Sequence, residues 1–282
     1  MTWPAIRLRG REPARLCVHR RYWESYEQAY ERLRQRRITV AAVSASLLDR
    51  IAPSGARVVV PNGVDPEEWA RPGTVPASLD SRSRPWIAYV GNMDDRVDVA
   101  VLSRIADEVP GATIALCGPL LRPRHFAPLR ERPNVVFLGR RDRATVVGVV
   151  RAADACVMPH RRTKLTASMS PIKIYEYLAG GARVVTTDLP SVRGVSSELT
   201  RVSDDDEFVD RLKRVLEEPA RSESARREFA RANSWERRHR TLLDFTIAQA
   251  VGQGDPPPGE PWPSADERSP VEAGFRRESG PR

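Results

Sequence analysis

Trp86-Ile87-Ala88-Tyr89-Val90-Gly91 is the run on which the reading of the fold turns. It is apolar without alternation, and it stops at a glycine. The pattern returns as Ala112–Cys117 before Gly118-Pro119, as Val135–Leu138 before Gly139, as Ala155–Met158 before Pro159, and as Arg183–Thr186. Short continuous apolar runs mark strands buried on both faces, whereas a strand with one wet face alternates. Between them, residues 98–109, 142–152 and 171–179 carry apolar side chains at helical spacing, the last closed by Gly180-Gly181. Residues 125–131 read as a shorter helical or loop element. Strands alternating with helices predict βαβ units and a parallel sheet. In open α/β sheets of this kind, ligands sit beyond the carboxyl ends of the strands, where this chain places Gly and Pro.

Outside this core the pattern is less regular. Residues 204–217, 220–232 and 234–249 have helical spacing, and beyond Val251 the chain is rich in Pro, Gly and charge, which predicts a disordered tail over 251–282. Towards the N-terminus, residues 71–85 hold Pro72, Pro76 and Pro85 among Ser78, Ser81 and Ser83, a linker composition that predicts a domain boundary. Before it, Ile38–Val43 and Arg57–Val60 read as strands, the second stopped by Pro61-Asn62-Gly63. Ser44 is placed to cap a helix carrying Leu47, Leu48 and Ile51. Residues 22–37 have helical character, and residues 1–20, broken by Pro4, Gly10 and Pro13, read as irregular.

Composition narrows the class of partner. The 282-residue chain carries a formal net charge of +9, nearly all of the positive charge being arginine, with Lys164, Lys173 and Lys213 the only lysines. A basic surplus suits a polyanion, whether nucleic acid, anionic lipid or a diphosphate. It equally suits arginines that merely solvate a surface. No nucleic-acid-binding motif is present, so nucleic acid is not expected as a partner, while peripheral contact with an anionic membrane stays open. Cys17, Cys117 and Cys156 lack metal-ligand spacing, and the last two lie in apolar runs, as buried free thiols do. No stretch approaches the roughly 18–20 apolar residues of a membrane span, and the Arg-rich start lacks the apolar segment of a secretory signal. A cytoplasmic location, with or without membrane association, is the expectation.

Four segments bear on chemistry. Pro61-Asn62-Gly63-Val64-Asp65 is turn chemistry first, since Asn and Gly tolerate positive φ. In Gly91-Asn92-Met93-Asp94-Asp95-Arg96-Val97-Asp98, a glycine after a buried strand admits close backbone approach to a ligand, Arg96 can fork onto a phosphate, and Asp98 can cap the next helix. A plain strand–loop–helix turn explains the same residues. Next, a basic loop over residues 159–169 leads into Ser170-Pro171 and an apolar-periodic helix. Ser at the N-cap and Pro in the first turn predict a helix start whose free N–H groups favour an anion. Lys173 brings an ammonium to that end, and Glu176, one turn on, can accept from ribose hydroxyls. The competing reading is a capped surface helix with a Lys173–Glu176 pair. Finally, Gly118 and Phe137-Leu138-Gly139 offer strand-end backbone groups to a nucleobase edge, or are simple strand termini. His160 adjoins the basic loop as a candidate contact; His19, His125 and His239 show no partner in the sequence.

With these runs in order (Val43-Ser44, Pro61–Asp65, Tyr89–Gly91, Asp95–Asp98, Asn134–Gly139, Ala153-Asp154, Leu165-Thr166 and Ser170–Gly181) the chain resembles retaining GT-B glycosyltransferases of the family-four type over roughly residues 38–245. It is most similar to the bacterial branch associated with cell-wall and teichuronic-acid-like polysaccharides. The resemblance implies a Rossmann-like C-terminal domain of a GT-B fold over residues 86–250, a linker at 71–85, and a remnant of the N-terminal, acceptor-side domain over 1–70. It implies a nucleoside-diphosphate-sugar donor and a glycan or lipid-linked acceptor, with no metal and no cofactor, cationic groups and a helix N-terminus stabilising the leaving diphosphate. By position, Lys173 and Arg96 would meet the diphosphate, Glu176 the ribose, Gly91 and Asn92 the close approach, and Thr166 and Ser170 the sugar-phosphate region; no catalytic residue is assigned. The chain departs from the family twice. Many members have a glutamate eight residues before the position of Glu176, where this chain has Ser168. A GT-B enzyme also has two Rossmann-like domains, and the residues before Ile38 are too few for the first, so the acceptor-binding half is expected to be largely absent. A binding module without turnover, and a nucleotide-sugar epimerase on the same fold, are the alternatives.

Overall fold

The computed structural model describes residues 27–219 and 222–252. The start expected to be irregular and the expected tail from 253 onward therefore lie outside the described residues. In chain order the elements are helix α1 (residues 27–35), β1 (Val40–Ala42), α2 (Ala45–Ile51), β2 (Arg57–Val59), α3 (Pro66–Ala70), α4 (Ala77–Asp80), β3 (Trp86–Val90), α5 (Val99–Glu108), β4 (Thr113–Cys117), α6 (Ala127–Arg130), β5 (Val135–Gly139), α7 (Arg143–Ala152), β6 (Ala155–Met158), α8 (Lys164–Ser168), α9 (Ile172–Gly180), β7 (Val184–Thr187), β8 (Leu199–Val202), α10 (Phe208–Glu217), α11 (Glu223–Ala232) and α12 (Trp235–Ala250).

Six parallel strands form the main sheet in the order β5-β4-β3-β6-β7-β8. Both faces are covered. Trp86, Ala88 and Val90 of β3 face Trp69, α7 and α9, while Ile87 and Tyr89 face α5, α6 and α10. This is why the strand reads as an unbroken apolar run: neither parity of side chain meets water. Side chains of the following loops stop and start the helices. Asp98 accepts from Ala100 N and Val101 N at the head of α5, and Asp142 accepts from Thr145 N at the head of α7. β8 was not foreseen; its Leu199-Thr200-Arg201-Val202 is an edge strand with half-exposed Thr and an exposed Arg, and it lacks the apolar run of its neighbours.

Residues 38–60 form a two-stranded parallel sheet, β1 against β2, over a small core of Val40, Ala42, Leu48 and Ile51. Ser44 caps α2 as expected, its Oγ accepting from Leu47 N. β1 is shorter than the expected Ile38–Val43 because Ile38 and Val43 lie exposed beyond the ladder. Two connections then run side by side towards the main sheet: Val64 N donates to Asn233 O and Trp235 N donates to Val64 O.

Residues 71–85 do not hang free. Thr74 N donates to Ala144 O, Leu79 is buried, and Gly73 and Gly148 approach so closely that a Cβ on Gly148 would stand 2.2 Å from Thr74 O. The arginines also do more than solvate. Arg151 donates to Trp69, Ala70 and Arg71 carbonyls at the end of α3, and buried Arg226 donates to Trp69 O and Ala179 O while gripping Glu223. Cationic donors at helix C-termini satisfy carbonyls that have no intrahelical partner. Gly148→Ala should therefore lower unfolding stability by about 1–3 kcal/mol through overpacking. Urea denaturation measures it, and an unchanged midpoint would show that residues 73–74 are not seated on α7.

Candidate functional site

The order β5-β4-β3-β6-β7-β8 reverses direction between β3 and β6, a switch point at which α/β sheets open. β6 pairs with β3 only at Ile87 and Ala88. Beyond Ala88 the ladder on that side has lost its partner, and a side chain from α9 takes its place. Tyr177 Oη accepts from Val90 N at 2.7 Å and donates to Val90 O at 3.0 Å. The chain then leaves β3 through Gly91 (φ 145°) and β4 through Gly118 (φ 142°), both in a region closed to most side chains. The two glycines touch: a Cβ on Gly118 would lie 2.1 Å from Gly91 O.

Lys173, in the first turn of α9, stands at this opening. Its Nζ donates to Tyr89 Oη at 2.9 Å, lies 3.4 Å from His160 Nε2 and 4.3 Å from the Tyr89 ring centroid, and would be 2.7 Å from a Cβ on Gly91. Among the described residues it has no carboxylate partner. Glu176, the partner expected at one turn's distance, instead accepts from Arg143 Nη1 at 2.8 Å, and Arg143 also forks onto Glu68. Asp94 is likewise engaged, its carboxylate held by Arg96 Nε and Nη2. Burial opposes the ionisation of Asp94, but the Arg96 hydrogen bonds outweigh it and keep its carboxyl below the ordinary value. Burial, and then the nearby Arg96, bring the Lys173 ammonium down to about 7. Burial, then Lys173 and Arg96, push His160 down to about 2, so its ring is neutral. His160 is 2% exposed, and its Nδ1 has no partner among the described residues.

The expected donor residues fall into two groups. Gly91, Asn92, Arg96 and Lys173 converge: exposed Asn92 turns its carbonyl to Tyr89 Oη at 2.8 Å, and Arg96 Nη1 faces Met169 Sδ at 3.7 Å. Thr166 and Ser170 shape the wall. Thr166 is fully buried, its hydroxyl donating to Arg161 O and closing a capping box with Thr163. That box builds α8, where a basic loop was expected. Ser170 is not the N-cap of α9; Pro171 is, with no side-chain cap. Asn62 causes the change. Its backbone N–H donates to Ser170 Oγ and its side-chain amide to Ser170 O, holding that residue away from the helix start. Glu176 makes its ion pair with Arg143 rather than Lys173, joining the Arg143–Glu68 network, though its charge still acts on Lys173. His160 and Tyr89 complete the lysine's surroundings. His160 was legible only as a neighbour of the basic loop, and Tyr89 only as strand. Past the ends of β4 and β5, Met93, Leu120, Arg130, Phe137 and Gly139 line a cavity of about 370 Å³, beside the Gly118 and Phe137–Gly139 groups suggested for a base.

An open parallel sheet, glycines at the switch point and a lysine at a helix start define a doubly wound α/β domain. Residues 84–218 match the family model described as Glycosyl transferases group 1. Over 200 residues the chain is 25% identical to TuaH of Bacillus subtilis (strain 168), named for teichuronic acid biosynthesis as a glycosyltransferase, covering 67% of this chain and 50% of the relative. The chain thus spans about half the length of that curated relative. Among solved structures it is similar to sucrose-phosphate synthase of Thermosynechococcus elongatus (TM-score 0.61, 20% identity, 76% of this chain and 59% of that one). It is also similar to a glycosyltransferase of Rickettsia africae (TM-score 0.59, 16% identity, 82% of this chain and 68% of that one). The fold is that of the GT-B glycosyltransferases, as the sequence implied. No helix among the described residues is long and apolar enough to cross a membrane.

Tyr177→Phe keeps the ring in place but leaves Val90 N–H and C=O unpaired in the interior. It should cost about 1–3 kcal/mol. Chemical denaturation checks this, and a loss below roughly 0.5 kcal/mol would mean that another group satisfies β3.

Proposed function

We propose that the chain binds a nucleoside-diphosphate sugar at the β3–β6 opening and serves as the donor side of a retaining glycosyltransferase in cell-surface polysaccharide synthesis, with a glycan or lipid-linked acceptor. The observation that carries the reading is Lys173: an amine at a helix start, facing a strand-end glycine, whose protonated form has no carboxylate among the described residues to neutralise it. A diphosphate supplies that charge, and the uncapped first turn of α9 adds backbone donors. In this reading the base lies towards the Phe137–Gly139 cavity, Gly91 and Asn92 give close approach, and Arg96 Nη1 adds a second cationic donor. Glu176 receives the ribose while Arg143 holds its other side. Thr166 and Ser170 act by fixing the loop and helix start rather than through free hydroxyls. The name of the Bacillus relative supports a polysaccharide role; the domain division at 71–85 and a peripheral membrane contact belong to the same proposal.

Developing charge on a leaving diphosphate would be met by these fixed donors. The expected result is that UDP- or GDP-sugar raises the melting temperature and that Lys173→Ala removes the shift. No shift with any nucleotide sugar overturns the reading. Ser168, in place of the glutamate many family members carry, favours a second reading in which the chain binds the donor without turning it over. Donor hydrolysis or transfer by the purified protein, lost in Lys173→Ala, separates the two.

A further inference from the structure

Among the described residues, fewer acceptors face Lys173 Nζ than an ammonium has donors. A protonated lysine carries three donors, and a free amine carries two with one lone pair. Two acceptors face Nζ: Tyr89 Oη, whose own hydrogen goes to Asn92 O, and His160 Nε2. The third direction opens on Gly91, which has no side chain to meet it. We infer that Lys173 exchanges between ammonium and free amine around neutral pH when no anion faces it, and that a phosphate-bearing ligand entering beside Gly91 shifts it to the ammonium by drawing a proton from solvent. The donor-site reading enters only in naming a nucleoside diphosphate as that ligand.

The surrounding charges support the assignment. From the loop after β3, Arg96 repels a proton on Lys173 more strongly than Asp94, already forked to Arg96, or Glu176 attracts one. From the end of β6, His160 is neutral and cannot act as a counter-charge. On α9 itself Glu176 is held by Arg143 of α7, which shares Glu68 of α3. Arg226 of α11 is bound to Ala179 O and Glu223, and Arg238 of α12 lies over the Tyr175 ring at 5.9 Å. Burial then disfavours the ammonium, bringing its midpoint to about 7. An entering anion supplies both the missing acceptor and the missing negative charge, so the amine becomes the better base as the anion arrives. Access to the free amine between occupations lowers the cost of an uncompensated cation in a partly closed space.

The chain's composition makes the test direct, because three lysines give three signals. The full-length protein is labelled with lysine bearing carbon-13 at Cε and titrated by NMR, with Lys164→Arg and Lys213→Arg assigning the remaining signal. Lys173 should titrate near 7 alone and about one unit or more higher with saturating UDP. UDP affinity should carry an added loss of up to about tenfold per pH unit above neutrality, beyond the titration of the nucleotide itself. Arg96→Gln should raise the midpoint of the ligand-free protein. A ligand-free Lys173 midpoint in the ordinary lysine range of about 10 overturns the inference, whether or not UDP binds. So does a neutral midpoint that neither UDP nor pyrophosphate moves. If pyrophosphate moves it and UDP does not, proton uptake is upheld and the nucleoside reading fails.

Discussion

The strand ladder between β3 and β6 ends early, and the molecule is arranged around that early end. A central parallel strand normally has both edges paired. Here β3 loses one partner beyond Ala88, and its last amide and carbonyl turn to a phenol from α9. The same substitution opens a gap at the sheet's switch point and locks the helix that borders it. Lys173 and Tyr177 lie one turn apart on α9, so the residue that mends the sheet also fixes the residue that faces the opening. Gly91 and Gly118 then let two strand ends meet without side chains between them.

Charge is distributed by the same economy of partners. Arginine does the structural work at the ends of helices: Arg151 on α3, Arg226 on α3 and α9, and Arg183 on the carbonyls of Asp154 and Leu216. Its planar fork binds several acceptors at once and stays charged. The carboxylates near the opening are used in the same way, Asp94 by Arg96 and Glu176 by Arg143. Lys173 is left with a phenol and a neutral imidazole. A point charge on a flexible stem, easily shifted when buried, is the side chain suited to that position.

How much of this was legible in the sequence follows from how far apart the causes lie. The strands were readable because burial on both faces writes itself into consecutive residues, and the Gly and Pro stops gave their carboxyl ends. β8 was hidden because an edge strand carrying Thr200 and Arg201 has no such run. The caps at Ser44 and Asp98 were readable because each acts within three residues. Ser170 was misread as a cap because Asn62, 108 residues earlier, claims it. Glu176 was expected near Lys173 by helical spacing, but Arg143 comes from another helix. The arginines looked like surface ballast because a carbonyl acceptor leaves no mark in sequence. Of the site, the helix start and strand-end glycine were visible; the neutral surroundings of Lys173 were not, since Tyr89 and His160 arrive from two different strands.

Strand order and synthesis order diverge at β3. The ribosome delivers β3, β4 and β5 in the sequence in which they pair outward, and then returns to the other side of β3 with β6. Throughout the interval from Gly91 to Asp154, one edge of an all-apolar strand stands bare, and the Trp86 amide waits for the Asp154 carboxylate that will accept from it at 2.7 Å. A bare apolar edge is a template for another chain. Arrival of β6 covers that edge and presents its own apolar edge in turn, which β7 and then β8 cover.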